Sequence, residues 1–167
     1  MPALIIKPDC VIVCTSVHHG NTRKVADAMA SATQALVLEA SDRIPGAVAD
    51  GVLLGLGSGI FFGSHHKTLV EFARSLPDRA AGRAFVFSTS GTGYDLPHRA
   101  GIDYHGKVRH ILRSKGYDVV GEFSCKGFDT YGPWGKFGGI ARGHPTATDL
   151  EDAREFATGV MQRTADS

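Results

Sequence analysis

Thr15-Ser-Val-His-His-Gly-Asn-Thr22 gathers hydroxyl, imidazole and amide side chains around one glycine, between an apolar run and a helix-periodic segment. That arrangement suits anion chemistry. The first amides of a helix have no internal partner, and the helix dipole places partial positive charge on them. Gly20 lets the backbone approach an anion closely, and Ser16, Asn21 and Thr22 offer side-chain donors. His18 and His19 offer ring N–H groups and, when protonated, charge. The same stretch also reads as an ordinary helix cap whose hydroxyls serve only the helix, with both histidines facing solvent. Three further segments share the glycine- and hydroxyl-rich character: Gly57 to Gly63, Ser88 to Gly93, and Lys126 to Gly143.

Other chemistries lack their residues. No G-x-x-x-x-G-K-[ST] occurs, and Gly55-Leu-Gly57 is followed by Ser58-Gly59-Ile60, with no third glycine for a dinucleotide fingerprint. No serine sits in G-x-S-x-G. The acidic residues that a phosphate-accepting receiver needs at its first and third strand ends are replaced by Cys14-Thr15 and Leu56-Gly57. Four of the eight histidines form adjacent pairs, His18-His19 and His65-His66, and none forms an i,i+4 pair, so no metal site is expected. His98, His105 and His110 either flank a pocket or are solvated. No residue stands out as an acid, base or nucleophile.

These loops need a scaffold. Short apolar runs alternate with helix-periodic segments along all 167 residues, a length suited to one domain. Strands are expected at Cys10 to Cys14, Ala35 to Leu38, Gly51 to Gly57, Ala84 to Phe87 and Tyr117 to Ser124. Helices are expected at Gly20 to Thr33, Lys67 to Leu76, Ile102 to Lys115 and Thr148 to Met161, the last with a Thr148/Glu151 capping box. Ser41 to Asp50 reads as a turn-rich crossover with one short helix. Five alternations predict a doubly wound α/β domain with a parallel sheet. Ligands of such sheets sit beyond the carboxyl ends of the strands, where all four glycine-rich segments fall.

With 43% hydrophobic and 21% charged residues, the composition is that of a globular chain. Its net charge of +1 selects neither nucleic acid nor a membrane surface. The apolar runs Ala3 to Ile6 and Val11 to Cys14 are too short to span a bilayer, and the N-terminus lacks the pattern of a secretion signal. Cys10, Cys14 and Cys125 form no C-x-x-C pair, and the first two lie about 13 Å apart along one strand face, too far to bridge. They are expected to be buried apolar side chains in the cytoplasm.

Ser16-Val-His-His-Gly-Asn-Thr22 resembles the FMN-phosphate loop of flavodoxins, a hydroxyl-rich turn ending in Gly-Asn-Thr. Gly57-Ser-Gly-Ile-Phe-Phe-Gly63 looks like the second flavin loop of flavodoxin-like proteins, and Ser88-Thr-Ser-Gly-Thr-Gly93 like the third. Cys125 to Trp134, then Gly143-His-Pro145, resembles a compact branch of that family. The resemblance implies a three-layer sandwich with five parallel strands in the order 2-1-3-4-5, spanning residues 1–167. It also implies noncovalent FMN and electron transfer between redox partners.

Carried over residue by residue, Ser16, His18, His19, Gly20, Asn21 and Thr22 would meet the phosphate. Ser58, Gly59, Ile60, Phe61, Phe62 and Gly63 would line the ring. In the resembled family a peptide of this second loop reorients on reduction, and Ser58 to Ile60 is the matching stretch. Thr89, Ser90, Gly91, Thr92 and Gly93 would offer amides to the pyrimidine edge, with Tyr94 a stacking candidate. Phe61 and Phe62 either pack near the ring or belong to the core. Phe128, Tyr131 and Trp134 cover the flavin, form a partner surface or pack locally. Typical electron-carrier flavodoxins are strongly acidic, whereas this chain is nearly neutral. An FMN-dependent oxidoreductase using NAD(P)H and a quinone or other small acceptor is the alternative, as is a flavin-less module on the same fold.

Overall fold

Cys10–Thr15 forms β1, every residue of which is buried. A continuous run of apolar, largely β-branched side chains covered on both faces is what a central parallel strand requires. The computed structural model describes residues 8–42, 50–130 and 133–166. β1 pairs in parallel with β2 (Leu36–Glu39) on one side and β3 (Leu53–Phe61) on the other. β3 pairs with β5 (Gly82–Ser90), and β5 with β6 (Tyr117–Lys126), also in parallel. The order β2-β1-β3-β5-β6 is the one expected. The addition is β4 (Ser64–His65), a two-residue antiparallel strand folded back on the end of β3.

That addition corrects the reading of residues 57–63 as a loop. β3 continues to Phe61, and only Phe62 and Gly63 form the turn, both at positive φ (51° and 78°). Gly57, at the junction of the expected strand and loop, and Gly55 before it are strand residues with a packing role. A methyl group on Gly55 would lie 2.4 Å from the Phe85 ring, and one on Gly57 2.2 Å from Phe87. Two large rings on β5 lie over two bare positions of β3.

Helices cover both faces. α1 (Asn21–Thr33) and α6 (Ala147–Ala165) bring Val25, Met29, Ala153, Ala157 and Val160 onto Ile12, Phe85 and Phe87. α2 (Lys67–Ser75) and α4 (Gly106–Ser114) bring Leu69, Ala73, Val108 and Leu112 onto Val13, Leu54, Leu56 and Val86. α3 (Asp95–Arg99) and α5 (Pro133–Lys136) are short helices in the loops after β5 and β6. The helix expected from Ile102 starts four residues later. Asp103 Oδ1 accepts from His105 N at 3.1 Å, so the chain turns before α4 begins, and Ile102 stays 44% exposed. The expected helix at residues 41–50 falls mainly on 43–49, outside the described residues, as does the Ala3 to Ile6 run.

The capping box of α6 sits two residues earlier than expected. Thr146 Oγ1 accepts from Asp149 N at 3.1 Å, and Asp149 Oδ2 accepts from Thr146 N at 2.7 Å. Two Thr-x-x-acid frames overlap in the sequence, and His144 Nδ1, 2.6 Å from the same Asp149 oxygen, supports the earlier one. Thr146→Ala is therefore expected to cost about 1 kcal/mol in urea unfolding, whereas Thr148→Ala stays near neutral. Equal losses would restore the later frame.

The three cysteines are free and buried, and burial pushes each thiol up to about 12. No helix among the described residues is long and apolar enough to cross a membrane.

Candidate functional site

β1 ends at Thr15, and the chain turns into α1 through two left-handed residues, His19 (φ 55°) and Gly20 (φ 65°). Gly20 is the N-cap and carries no side chain; a methyl there would meet nothing, so the backbone angle is what calls for glycine. Ser16 Oγ accepts from Arg23 N at 3.3 Å. The Thr15 hydroxyl is buried without a hydrogen-bond partner.

Asn21 and Thr22 are buried and already engaged. Asn21 Nδ2 donates to Phe128 O at 2.7 Å, and the Thr22 and Thr89 hydroxyls are 2.9 Å apart. His19 Nε2 lies 2.9 Å from Thr130 Oγ1, with its ring 4.5 Å from Phe128. Side chains expected to face an anion thus staple the turn after β1 and the start of α1 to the end of β5 and the loop after β6.

The β3–β4 hairpin forms the second wall. Phe61 is flanked by His18 at 5.9 Å and, edge-on, by His66 at 5.2 Å. Partial burial and the neighbouring Lys67 charge lower the His66 pKa. Phe62, at the tip, is 92% exposed, which settles against a core role.

The loop after β5 is closed by Ser90 Oγ donating to Gly93 O at 2.9 Å, while Gly127 N donates to Ser90 O at 3.0 Å. A methyl on Gly91 would lie 2.6 Å from Ile140 and 2.8 Å from Asp129, so the late loop packs directly on this turn. Thr92 Oγ1 is 3.1 Å from Tyr104 OH.

These walls enclose one cleft of about 710 Å³. Of the expected residues, His18, Asn21, Thr22, Gly59 to Gly63 and Thr89 to Thr92 line it. Ser16, His19, Gly20, Ser58 and Gly93 stand beside or behind it. Tyr94 is turned away, its ring between His98 (4.9 Å) and His105 (5.3 Å). Val17, Tyr104, Gly127, Phe128 and Asp129 also line the cleft. Phe128 was legible as an aromatic in a long glycine-rich loop. Tyr104 was hidden by its assignment to a helix. Tyr131 and the Trp134 side chain lie outside the described residues.

A polar layer supports the cleft from below. Thr15, Ser58, Ser88 and Ser124 share one register row across β1, β3, β5 and β6. Ser88 Oγ is 2.9 Å from Ser124 Oγ and 2.8 Å from His105 Nε2. His105 Nδ1 lies 3.3 Å from Glu122, which also receives Arg109 Nη1 at 2.7 Å. The His105 hydrogen bond, with Arg109 beside it, holds Glu122 down to about 2. His65 stacks on His105 at 5.2 Å, and burial, reinforced by His105, pushes it down to about 3. His110 lies exposed outside this layer.

No family model matches the chain. The backbone is similar to a flavodoxin from the domain Archaea (TM-score 0.60, 15% identity, 93% of this chain and 98% of that one). It is also similar to Flavodoxin 2 of Bacillus cereus (TM-score 0.62, 19% identity, 92% and 98%). In rubredoxin oxygen:oxidoreductase of Desulfovibrio gigas it matches 37% of a longer chain (TM-score 0.67, 13% identity, 96% of this chain). In sequence, the uncharacterized protein MJ0298 of Methanocaldococcus jannaschii is 36% identical over 152 residues, 91% of this chain and 97% of its own. The chain therefore belongs to the family of MJ0298 and is built on the flavodoxin-like fold.

Proposed function

We propose that the cleft binds FMN noncovalently and that the protein carries electrons between redox partners. The observation that supports this most is the convergence of three segments. The turn after β1, the β3–β4 hairpin and the end of β5 with its following turn, each similar to a flavin loop in sequence, line a single cleft together. Its volume is within the ~300–1,000 Å³ usual for small-molecule sites.

The residues present suit the group. The left-handed Gly20, the first amides of α1 and the unpartnered Thr15 hydroxyl suit a phosphate. Phe61 and Phe128 supply flat apolar surface, and the backbone of residues 89–92 supplies polar groups for a ring edge. Bound FMN would supply the electron chemistry, while the protein binds, orients and partly desolvates it. Val17, 52% exposed, and Phe62 give the mouth an apolar rim for a redox partner. The reading includes a single flavodoxin-like domain in the cytoplasm, where three free thiols fit a reducing environment.

A visible absorption spectrum of the purified protein, followed by titration with FMN and riboflavin, tests this. Ser16→Ala together with Thr22→Ala is expected to weaken FMN more than riboflavin. Equal losses would remove the phosphate assignment, and a colourless protein indifferent to added FMN would favour a flavin-less module. The roomy cleft also supports an enzyme using NAD(P)H and a quinone or other small acceptor. Steady NAD(P)H oxidation in the presence of such an acceptor would select it over the carrier.

A further inference from the structure

The Gly59–Ile60 wall of the cleft is held from behind. Ser58 is fully buried, and its Oγ donates to Gly59 O at 2.7 Å, accepts from His66 N at 3.0 Å and meets His65 Nδ1 at 2.8 Å. With its single proton directed at Gly59, the hydroxyl accepts from His65, which assigns the ring proton to Nδ1. The other ring nitrogen, Nε2, is buried without a partner, as a bare lone pair in the core would be. Strand pairing of Ile60 with His65 and Phe61 with Ser64 adds a second restraint.

A trans peptide points its N–H opposite its C=O. Fixing the Gly59 carbonyl on buried Ser58 therefore fixes the Ile60 N–H as well, and both residues line the cleft. Turning this peptide over would break the Ser58 bond and disturb the hairpin.

We propose that Ser58 is a positioning residue that keeps the Gly59–Ile60 peptide in one orientation in every redox state of the protein. The proposal rests on the FMN reading. Flavin N5 accepts a hydrogen bond when oxidised and carries a hydrogen when reduced, so an ideal partner would change sense between the states. The peptide here has its acceptor committed to Ser58, so its carbonyl cannot turn to the hydrogen of the reduced ring without breaking that bond. Withholding this acceptor disfavours the reduced ligand relative to the oxidised one and lowers the potential. This differs from the reorientation that the flavodoxin resemblance implied for residues 58–60.

The test is a redox titration of the FMN-loaded protein, paired with amide hydrogen exchange of the apoprotein. Ser58→Ala is expected to narrow the preference for oxidised over reduced FMN by roughly tenfold, an upward shift of about 30 mV for a two-electron couple. Ser58→Thr, which keeps the hydroxyl, is expected to return the potential toward wild type. Exchange at residues 59–61 is expected to accelerate in Ser58→Ala without cofactor. His65→Phe keeps a ring but removes the Nδ1 donor, so it carries the test if Ser58→Ala fails to fold, with a smaller shift in the same direction.

An unchanged potential in a folded, FMN-binding variant overturns the role of Ser58. Unchanged exchange at residues 59–61 overturns the pinning itself. A wild-type protein that takes up no FMN overturns the cofactor reading and this proposal with it.

Discussion

Replacing Asn21 by leucine is expected to lower FMN affinity on the order of 100-fold and riboflavin affinity equally. Asn21 shares leucine's branched shape and number of side-chain heavy atoms and is buried where α1 meets the late loop. Its Nδ2 is the donor to Phe128 O, and a methyl on Gly127 would lie only 2.8 Å from that atom, so the contact is close-packed. Leucine places a methyl against the carbonyl and leaves it without that donor, at a cost of about 1–3 kcal/mol. The loop relieves this by moving outward, and it carries Gly127, Phe128 and Asp129, which form one wall of the cleft. Both ligands lose the same wall, which separates this outcome from the phosphate-specific one of Ser16→Ala with Thr22→Ala. Fluorescence titration with both flavins checks it; retention of wild-type affinity would show that the Asn21 staple does not shape the cleft.

A second large effect concerns acid. His65 is held neutral in the core, down to about 3 in the folded protein, against about 6.5 in an unfolded chain. Below pH 6.5 the unfolded state takes up a proton that the folded state refuses. Stability from this group is therefore complete above pH 6.5 and falls as the pH drops toward 3. Between pH 7.5 and 4.5 the wild type should lose about 2–3 kcal/mol more than His65→Phe in urea unfolding. Phenylalanine retains a ring against His105 and removes the unpartnered Nε2. Glu122 acts in a lower window that overlaps the end of this one: its depressed pKa contributes stability above about 4.5, lost as the pH falls toward 2. Parallel pH profiles for the wild type and His65→Phe would contradict the buried neutral imidazole.

The two effects draw on different parts of one construction. The row Thr15, Ser58, Ser88 and Ser124 caps the apolar sheet just below the cleft. Buried hydroxyls need partners, and His65, His105 and the backbone of the hairpin supply them for Ser58 and Ser88. The polar layer thus joins the hairpin to α4 and the end of β6, while Asn21 and Thr22 join the opposite wall. The cleft is held from two sides by bonds between segments far apart in the chain.

Much of this was legible beforehand. Continuous apolar runs such as Cys10 to Cys14 mark strands buried on both faces, and their alternation with amphipathic segments leaves few alternatives to a doubly wound sheet. The glycine- and hydroxyl-rich segments at the carboxyl ends of β1, β3 and β5 announced the rim on which a cleft forms, because strand ends in such sheets collect there.

Pairings across the chain were not legible. Gly55 and Gly57 look like weak points of an expected strand until Phe85 and Phe87 are seen lying over them. Asn21 and Thr22 look like donors with no other task until their bonds to Phe128 and Thr89 are seen to tie the cleft's walls together. Tyr94 looks like a stacking residue until His98 and His105 enclose it. Local patterning determined the layers and the end of the sheet where its loops gather, because those follow from periodicity and chain connectivity; the strand order came from the resemblance to flavodoxins. Which side chain faces the cleft and which ties one loop to another was decided only by tertiary packing, because a donor's direction depends on neighbours more than a hundred residues away.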